Sequence, residues 1–433
     1  MEPSKVTLED VTAVRKRIEV EIAAADVQAE LDRAFQLVSQ QARLRGFRPG
    51  KAPRSVIERA FGDEVRRDVL SRLVEHSFHH AVEHHHLAIV GSPDIDAETL
   101  KPGEALRYSA TVDVRPPIVV ADLGGLEATR PGTAVADADV EHVLNGLRNS
   151  VAQLRPVERN EVEAGDVVTV NLVSKLDGGE PQRREGLHVE AGEGSFPLAL
   201  ERQLVGQHRG ARLSLRVPYP EDYANQNLAG KTAEFEVEVL DLRAKELPPL
   251  DDDFARDHGR SETLADLRGK IREDLERQAE ERAERAVREA IVAQLLARHQ
   301  FEVPESMVTR RADAILGSLD VRLPEGVDQE RALTELRAQV RPTAERDVRA
   351  DLILDAIADQ EKISVTDADV GAEIAAVAAR EGQPAERVRA VYERPEMRAA
   401  LAARMARERA MAAVVARARI MPNDGSGEVA RGK

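Results

Sequence analysis

The sequence predicts a multidomain α+β protein, in which a mixed α+β domain is followed by a small β-rich domain and then by an all-α domain. Three observations carry that reading. Two alternating strand patterns bracket two helical patterns in the first 115 residues, alternation returns between residues 165 and 243, and beyond "KELPPLDDDF" the helical period runs almost unbroken. The length of 433 residues fits such a division, because a single hydrophobic core stops growing well before that size.

The first strand is read from Ile18, Val20 and Ile22 on one face with Arg17, Glu19 and Glu21 on the other. Asp26 is expected to cap the helix that follows, whose Val27, Leu31, Phe35 and Val38 make one apolar stripe. A second helix is predicted over 54–84, with Val56, Ala60, Val65, Val69, Leu73 and Val82 among its apolar positions. Leu106, Tyr108, Ala110, Val112 and Val114 alternate as the next strand. The Pro- and Gly-rich "RPPIVVADLGGLEATRPG", 115–132, reads as a linker, and a short helix is expected over 137–154.

In the β-rich region Val168, Val170 and Leu172 alternate before an Asp177-Gly178 turn, then Leu213, Leu215 and Val217, then Phe235, Val237 and Val239 opposite three glutamates. From Thr263 to His299 the residues Leu264, Leu267, Ile271, Leu275, Val287, Ile291 and Leu295 keep near one face of a helix about 55 Å long. Pro304 is placed at the first turn of another helix. Thr366 is placed as the cap of a helical set reaching Arg419, and "NDGSGEVARGK" reads as a disordered tail from about residue 422.

Composition excludes several classes of chemistry. With no cysteine there is no disulfide framework, thiolate metal site or cysteine nucleophile. With no tryptophan and 3% aromatic residues, the cores must be built from Leu, Val, Ile and Ala. The start, "MEPSKVTLED", has no apolar segment of signal-peptide length, and no run reaches the roughly 18 apolar residues of a membrane span, so a soluble cytoplasmic protein without a membrane partner is expected. A net charge of −16 argues against broad coating of nucleic acid, so contact with RNA must be local.

The candidate sites are few. Six histidines fall in "HSFHHAVEHHH", and His76, His80 and His84 share a helical face at a spacing able to chelate a metal, yet no carboxylate or cysteine constellation accompanies them and no metal site is assigned. Neither a Walker motif nor a complete dinucleotide loop nor G-x-S-x-G occurs, which removes support for nucleotide or serine-hydrolase chemistry. "LRGFRPGKAPRSVIER", 44–59, is different in kind: Arg45, Arg48, Lys51, Arg54 and Arg59 oppose Glu58 alone, a positive island on an acidic chain. Phe47 in its midst has no core to join and suits an apolar anchor ringed by cations that meet phosphate.

"GFRPGKAP" matches all six fixed positions of G-F-R-x-G-K-x-P, the ribosome-binding signature of bacterial trigger factors, which the chain resembles over nearly its full length. "PPIVVADLGGLE", "YPEDYANQNLAGK", "ELPPLDDDFA", "VPESMV" and "ISVTDADV" fit that family in order. The resemblance implies a ribosome-binding domain over 1–115, a linker and short helix over 116–150, an FKBP-like prolyl isomerase domain over 151–245, and a helical two-armed chaperone domain over 246–433. It places Gly46, Phe47, Arg48, Gly50, Lys51 and Pro53 at a loop that docks on large-subunit protein and rRNA beside the exit tunnel. It further implies shielding of nascent and unfolded polypeptides without ATP or any cofactor, assistance to folding and export, a link to cell division, partial ribosome association, and a homodimer off the ribosome.

An FKBP-type pocket works by taking the X-Pro amide out of water, which weakens the resonance behind its roughly 18–20 kcal/mol barrier, so its aromatic lining is its chemistry. Here the chain departs from the family. Where the family commonly has G-x-G-x-x-I-P-G-F-E this sequence reads "GEGSFPLALE", with Leu200 at the usual Phe, Ala199 at the Gly and Leu198 at the Pro. Leu187 stands where another Phe is common, and "GEPQRRE" lacks the expected F-E-G. Tyr223 and Phe235 match, and Phe196 is placed to fill part of the gap, so isomerase activity is expected to be weakened or lost. Proline isomerisation as the principal activity, metal binding by the histidines, and an extracytoplasmic chaperone with a similar helical body are the alternatives.

Overall fold

A computed structural model describes residues 3–42, 44, 47, 51–101, 103–176, 180–192, 200–219, 221, 228–259, 261–319 and 328–423. The chain divides into two compact units, Met1–Pro131 with Glu284–Lys433, and Gly132–Ala283.

In the first unit, β1 (Lys5–Thr12), β2 (Arg15–Ile22), α1 (Ala24–Gln41), α2 (Arg54–His84), β3 (Ile89–Ala97) and β4 (Leu106–Val114) form an antiparallel sheet of order β1-β2-β4-β3 with two helices against it. Ile18 pairs with Leu8 on one side and Ala110 on the other, so a single alternation is propagated across three strands. Ile18, Val20 and Ile22 meet Val27, Leu31 and Phe35 of α1 and Ile57, Val65, Val69 and Leu73 of α2 in one core.

Two local expectations change. Asp26 does not cap α1; Ala23 occupies that position without a side-chain bond, and Asp26 lies in the first turn, where its charge opposes the helix dipole. Of the apolar residues expected on α2, Val65, Val69 and Leu73 are buried, whereas Ala60 is exposed and Ile57 and Ala81 take the inward positions. Buried Ser77 turns its Oγ to the Tyr108 hydroxyl at 2.8 Å, which satisfies the one polar atom the ring carries into the core.

β5 (Glu127–Arg130) falls within the stretch read as a linker, and it is packed rather than loose. Leu123, Leu126 and Ala128 share a core with residues of the C-terminal helices, and Arg298 donates to the carbonyls of Asp122, Gly124 and Gly125.

The second unit contains α3 (Asp137–Ser150), β6 (Gln153–Pro156), β7 (Val167–Leu176), β8 (Gln182–Glu190), α4 (Leu200–Leu204), β9 (Arg212–Pro218), β10 (Thr232–Glu246) and α5 (Asp252–His258). Its sheet runs β6-β10-β7-β8, with β9 on the other edge of β10. Val168, Val170, Leu172, Val237, Val239 and Leu242 fill the concave side with Leu204 of α4. The short helix α3 belongs with this unit: Val140 and Leu144 pack on Phe254 of α5 and on Leu267 and Ile271 of α6 (Leu264–Arg298). The expected Asp177-Gly178 turn lies outside the described residues.

The remaining elements are α7 (Glu305–Ser318), α8 (Gln329–Gln360), α9 (Asp367–Glu381), α10 (Ala385–Tyr392), α11 (Pro395–Arg417) and β11 (Arg419–Pro422). Val287, Ile291 and Leu295 of α6 pack with Ile353 and Ile357 of α8 and with Ala410, Met411 and Val414 of α11. Pro304 sits at the N-cap of α7, one place before the expected turn, and Thr366 caps α9 in a reciprocal bond with Asp369. β11 lies parallel to β5 and ends at Pro422. The expected tail falls almost wholly outside the described residues.

Candidate functional sites

The basic segment joins α1 to α2, two helices whose inner faces share the first core. Of its six signature residues, Phe47, Lys51 and Pro53 are described, and Gly46, Arg48 and Gly50 lie outside the described residues. Phe47 is 40% exposed, although Leu44 and Ala52 on either side pack partly on the core. Its N–H donates to the Leu44 carbonyl at 3.2 Å. Lys51 is exposed and has no ion-pair partner among the described residues.

Pro53 is the N-cap of α2, and the first turn of that helix carries no acidic residue. The opening N–H groups of a helix have no intrahelical acceptor and concentrate partial positive charge. An exposed aromatic ring, a free ammonium and a helix N-terminus therefore face solvent in one short stretch, a combination suited to an apolar contact bordered by phosphate.

Arg54 behaves differently from its neighbours. Its Nη2 lies 2.6 Å from Asp32 Oδ1 and its Nε 2.7 Å from Glu58 Oε1, while its guanidinium carbon sits 5.1 Å from the centre of the Phe35 ring. The hydrogen bonds that Arg54 donates to Glu58 and Asp32 push its guanidinium pKa further up, and Arg54 with Gln28 holds the Asp32 carboxyl below its ordinary range. Counting charge along the sequence does not fully separate Arg54 from Lys51, because only one of its two acids, Glu58, lies nearby in the chain and the other, Asp32, is on the preceding helix.

Of the five residues assigned to the isomerase pocket, Tyr223 and Phe196 lie outside the described residues, and Leu200 opens α4 with its side chain not described. Phe235 pairs with Ser174 and with Leu215, and Leu187 pairs with Val170; both pack against the same concave core. Phe235 also reaches a second apolar group, of buried Val217, Tyr219 and Ala233 with Leu176 and Leu228 beside them. Tyr219 was not picked out by sequence reasoning. Its signal is its position immediately after the β9 alternation, flanked by prolines in "VPYP".

The histidine face of α2 is divided. His76 and His84 are exposed, His80 is half-buried with its Nδ1 sealed and unpartnered, and the His80 and His84 rings stack 6.2 Å apart. Among the described residues no three His, Cys, Asp or Glu side chains converge on a metal position, and no helix is long and apolar enough to cross a membrane.

A sheet-backed helical hairpin with an exposed aromatic between its helices, a curled FKBP-like sheet and a set of long packed helices together define a modular folding helper. Residues 4–147 match the family described as "Bacterial trigger factor protein", 263–416 its C-terminal region, and 158–240 the FKBP-type peptidyl-prolyl cis-trans isomerases. The trigger factor of an Anaeromyxobacter species is 37% identical over 428 residues, covering 96% of this chain and 100% of its own. That of Geobacter metallireducens is 37% identical over 398 residues, covering 89% and 91%. A solved chain of the trigger factor chaperone aligns with 95% of this one and 99% of its own at 20% identity and a TM-score of 0.47, too slight a likeness to argue from. The chain belongs to the trigger factor family, ribosome-associated chaperones that carry an FKBP-type isomerase domain.

Proposed function

We propose that this protein docks at the ribosomal exit tunnel through residues 46–53 and shields nascent chains without ATP, as a cytoplasmic chaperone that exchanges on and off the ribosome. The exposure of Phe47 beside unpaired Lys51 at the α2 N-terminus carries the reading. Large-subunit protein is the partner for the ring, and rRNA phosphate is the partner for Arg48 and Lys51, whose local positive potential acts within about a Debye length, 8 Å at physiological salt. Docking is assigned to 1–115, isomerase structure to 151–245 and the chaperone body to 246–433. Replacing Phe47 and Arg48 together by alanine is expected to weaken ribosome cosedimentation by about tenfold or more, the scale of losing one anchor residue. Cosedimentation that stays at the wild-type level removes the docking assignment.

Isomerase activity is inferred to be residual. Phe235 and Tyr219 preserve part of an apolar, aromatic wall, but Leu187 supplies an aliphatic side chain from β8. Losing about 1.4 kcal/mol of transition-state stabilisation is a tenfold loss of rate, so kcat/KM on a prolyl peptide is expected to rise about tenfold in the Leu187→Phe, Leu200→Phe double variant. A wild-type chain already as fast as that variant would show that the two leucines do not limit the pocket.

A further inference from the structure

Arg54 stands next to the docking signature in a run of cations, and on sequence alone it belongs with the groups that meet rRNA. Its surroundings point elsewhere. One carboxylate that holds it, Asp32, comes from α1, and the other, Glu58, from the next turn of α2; Asp32 is held in turn by Gln28 Nε2 at 2.8 Å. The guanidinium plane lies over Phe35, a buried residue of α1 that also belongs to the core of this domain. Arg54 therefore ties the first turn of α2 to the middle of α1 through a charge-assisted bond and a cation–π contact at once. Its fork is occupied in two directions and its face in a third.

We infer that Arg54 is a positioning residue: it clasps α1 to α2 where the docking segment re-enters the fold, and so sets the placement of Lys51 and Pro53 without touching the ribosome itself. The inference rests on the docking reading above for its consequence, but the clasp is a property of the free protein. Preorganisation of this kind lowers the ordering cost of binding, so it adds affinity without adding a contact. The cations that steer and bind are then those without a carboxylate partner among the described residues, Lys51 beside the signature and Arg59 a turn further along α2.

The test separates contact from clasp by salt dependence. A side chain that neutralises one phosphate contributes about 0.7–0.9 to the slope of log affinity against log salt. For the full-length protein binding to vacant ribosomes, Lys51→Ala is expected to lower that slope by about this amount. Arg54→Ala should instead weaken affinity about threefold to tenfold with the slope unchanged, the range expected when a modest preorganisation term is lost. The charge-reversed pair Asp32→Arg with Arg54→Asp conserves the local charge and rebuilds the ion pair between α1 and α2, though neither the contact with Phe35 nor that with Glu58, and should recover part of the lost affinity. Hydrogen exchange on the ribosome-free protein reads the clasp independently: protection at 56–58, the first bonded N–H groups of α2, should fall in Arg54→Ala and return in part in the reversed pair. A lower slope in Arg54→Ala, with no rescue by reversal, would overturn the inference and make Arg54 a phosphate contact. Loss and rescue of protection, with ribosome affinity indifferent to Phe47, Lys51 and Arg54 alike, would leave the clasp standing and overturn the docking reading.

Discussion

Gly91→Ala is expected to cost about 3 kcal/mol and to lower the calorimetric transition of the unit that contains β3 by about 6–12 °C. Gly91 adopts φ +81°, a left-handed conformation that side chains rarely take, and a Cβ placed there would lie 2.6 Å from Ser306 Cβ and 2.8 Å from its Oγ. Backbone strain and overlap act together, each worth about 1–3 kcal/mol. The close approach has a purpose visible around it. Ser306, at the start of α7, donates its Oγ to the Val90 carbonyl at 3.1 Å and its N–H to Asp113 Oδ2 at 2.9 Å. The other oxygen of Asp113 accepts from Arg15 Nε at 2.9 Å. Desolvation of this carboxyl, 7% exposed, is outweighed by Arg15 and Ser306, which hold it below its ordinary range.

A polar knot thus joins three strands of the N-terminal sheet to a helix that follows nearly two hundred residues later, and glycine is what lets the backbones come close enough to tie it. Adding Ser306→Gly removes the obstructing side chain but also its bond to Val90. The double variant should accordingly recover the steric part of the loss and retain the hydrogen-bond part, giving a coupling of about 1–2 kcal/mol in a double-mutant cycle. A loss of only about 1 kcal/mol in Gly91→Ala would mean that α7 moves aside and backbone strain alone remains, and an unshifted transition would overturn both causes.

How far the fold could be read depended on whether an element buries a face. β2, β4, β7 and β10 are flanked on both edges, and their alternation of Ile, Val and Leu is unmistakable. β1, β3 and β8 are edge strands without a clear alternation: "IVGSPDIDA" carries glycine, proline and two aspartates, and "QRREGLHVE" opens with four polar residues, so that β8 is placed by the family resemblance at Leu187 and not by its pattern. Such residues blunt a sheet edge against wrong pairing, which also erases the signal by which a strand is recognised. The four-residue β5 is too short to show any period, and its partner β11 lies at the far end of the chain, so only the folded backbone brings them together. The docking segment was legible as a motif and as a charge anomaly. The separation of Arg54 from Lys51 was not, since it depends on which carboxylate the neighbouring helix presents.

Asp166→Ala is expected to destabilise the β-rich unit by about 1–2 kcal/mol, because it removes a buried carboxylate with three charge-assisted or backbone bonds, while the part-exposed Arg159 keeps Glu163 and the Glu161 carbonyl as partners. The Asp166 side chain is 4% exposed and receives both Nη atoms of Arg159 at 2.5 Å, one on each oxygen, with the Glu163 N–H at 2.8 Å on Oδ2. Burial raises the carboxyl's pKa, but the Arg159 fork, the Glu163 N–H and the Arg159 charge outweigh it, so the folded-state value lies below the ordinary one. The sign of the pH effect follows. A depressed folded-state pKa contributes stability that is complete above the unfolded value, about 3.9, and that is lost as pH falls toward the folded value. Asp166→Asn keeps the shape but cannot ionise, so its stability carries no slope from this site. The gap between wild type and Asp166→Asn, measured by urea unfolding across pH, should therefore be flat from neutrality down to about pH 5 and narrow progressively as the pH falls below about 4. A gap that stayed constant as the pH fell on through the acid range below about 4 would assign the loss to packing and hydrogen bonding, and would deny the ion pair any part in holding the sheet.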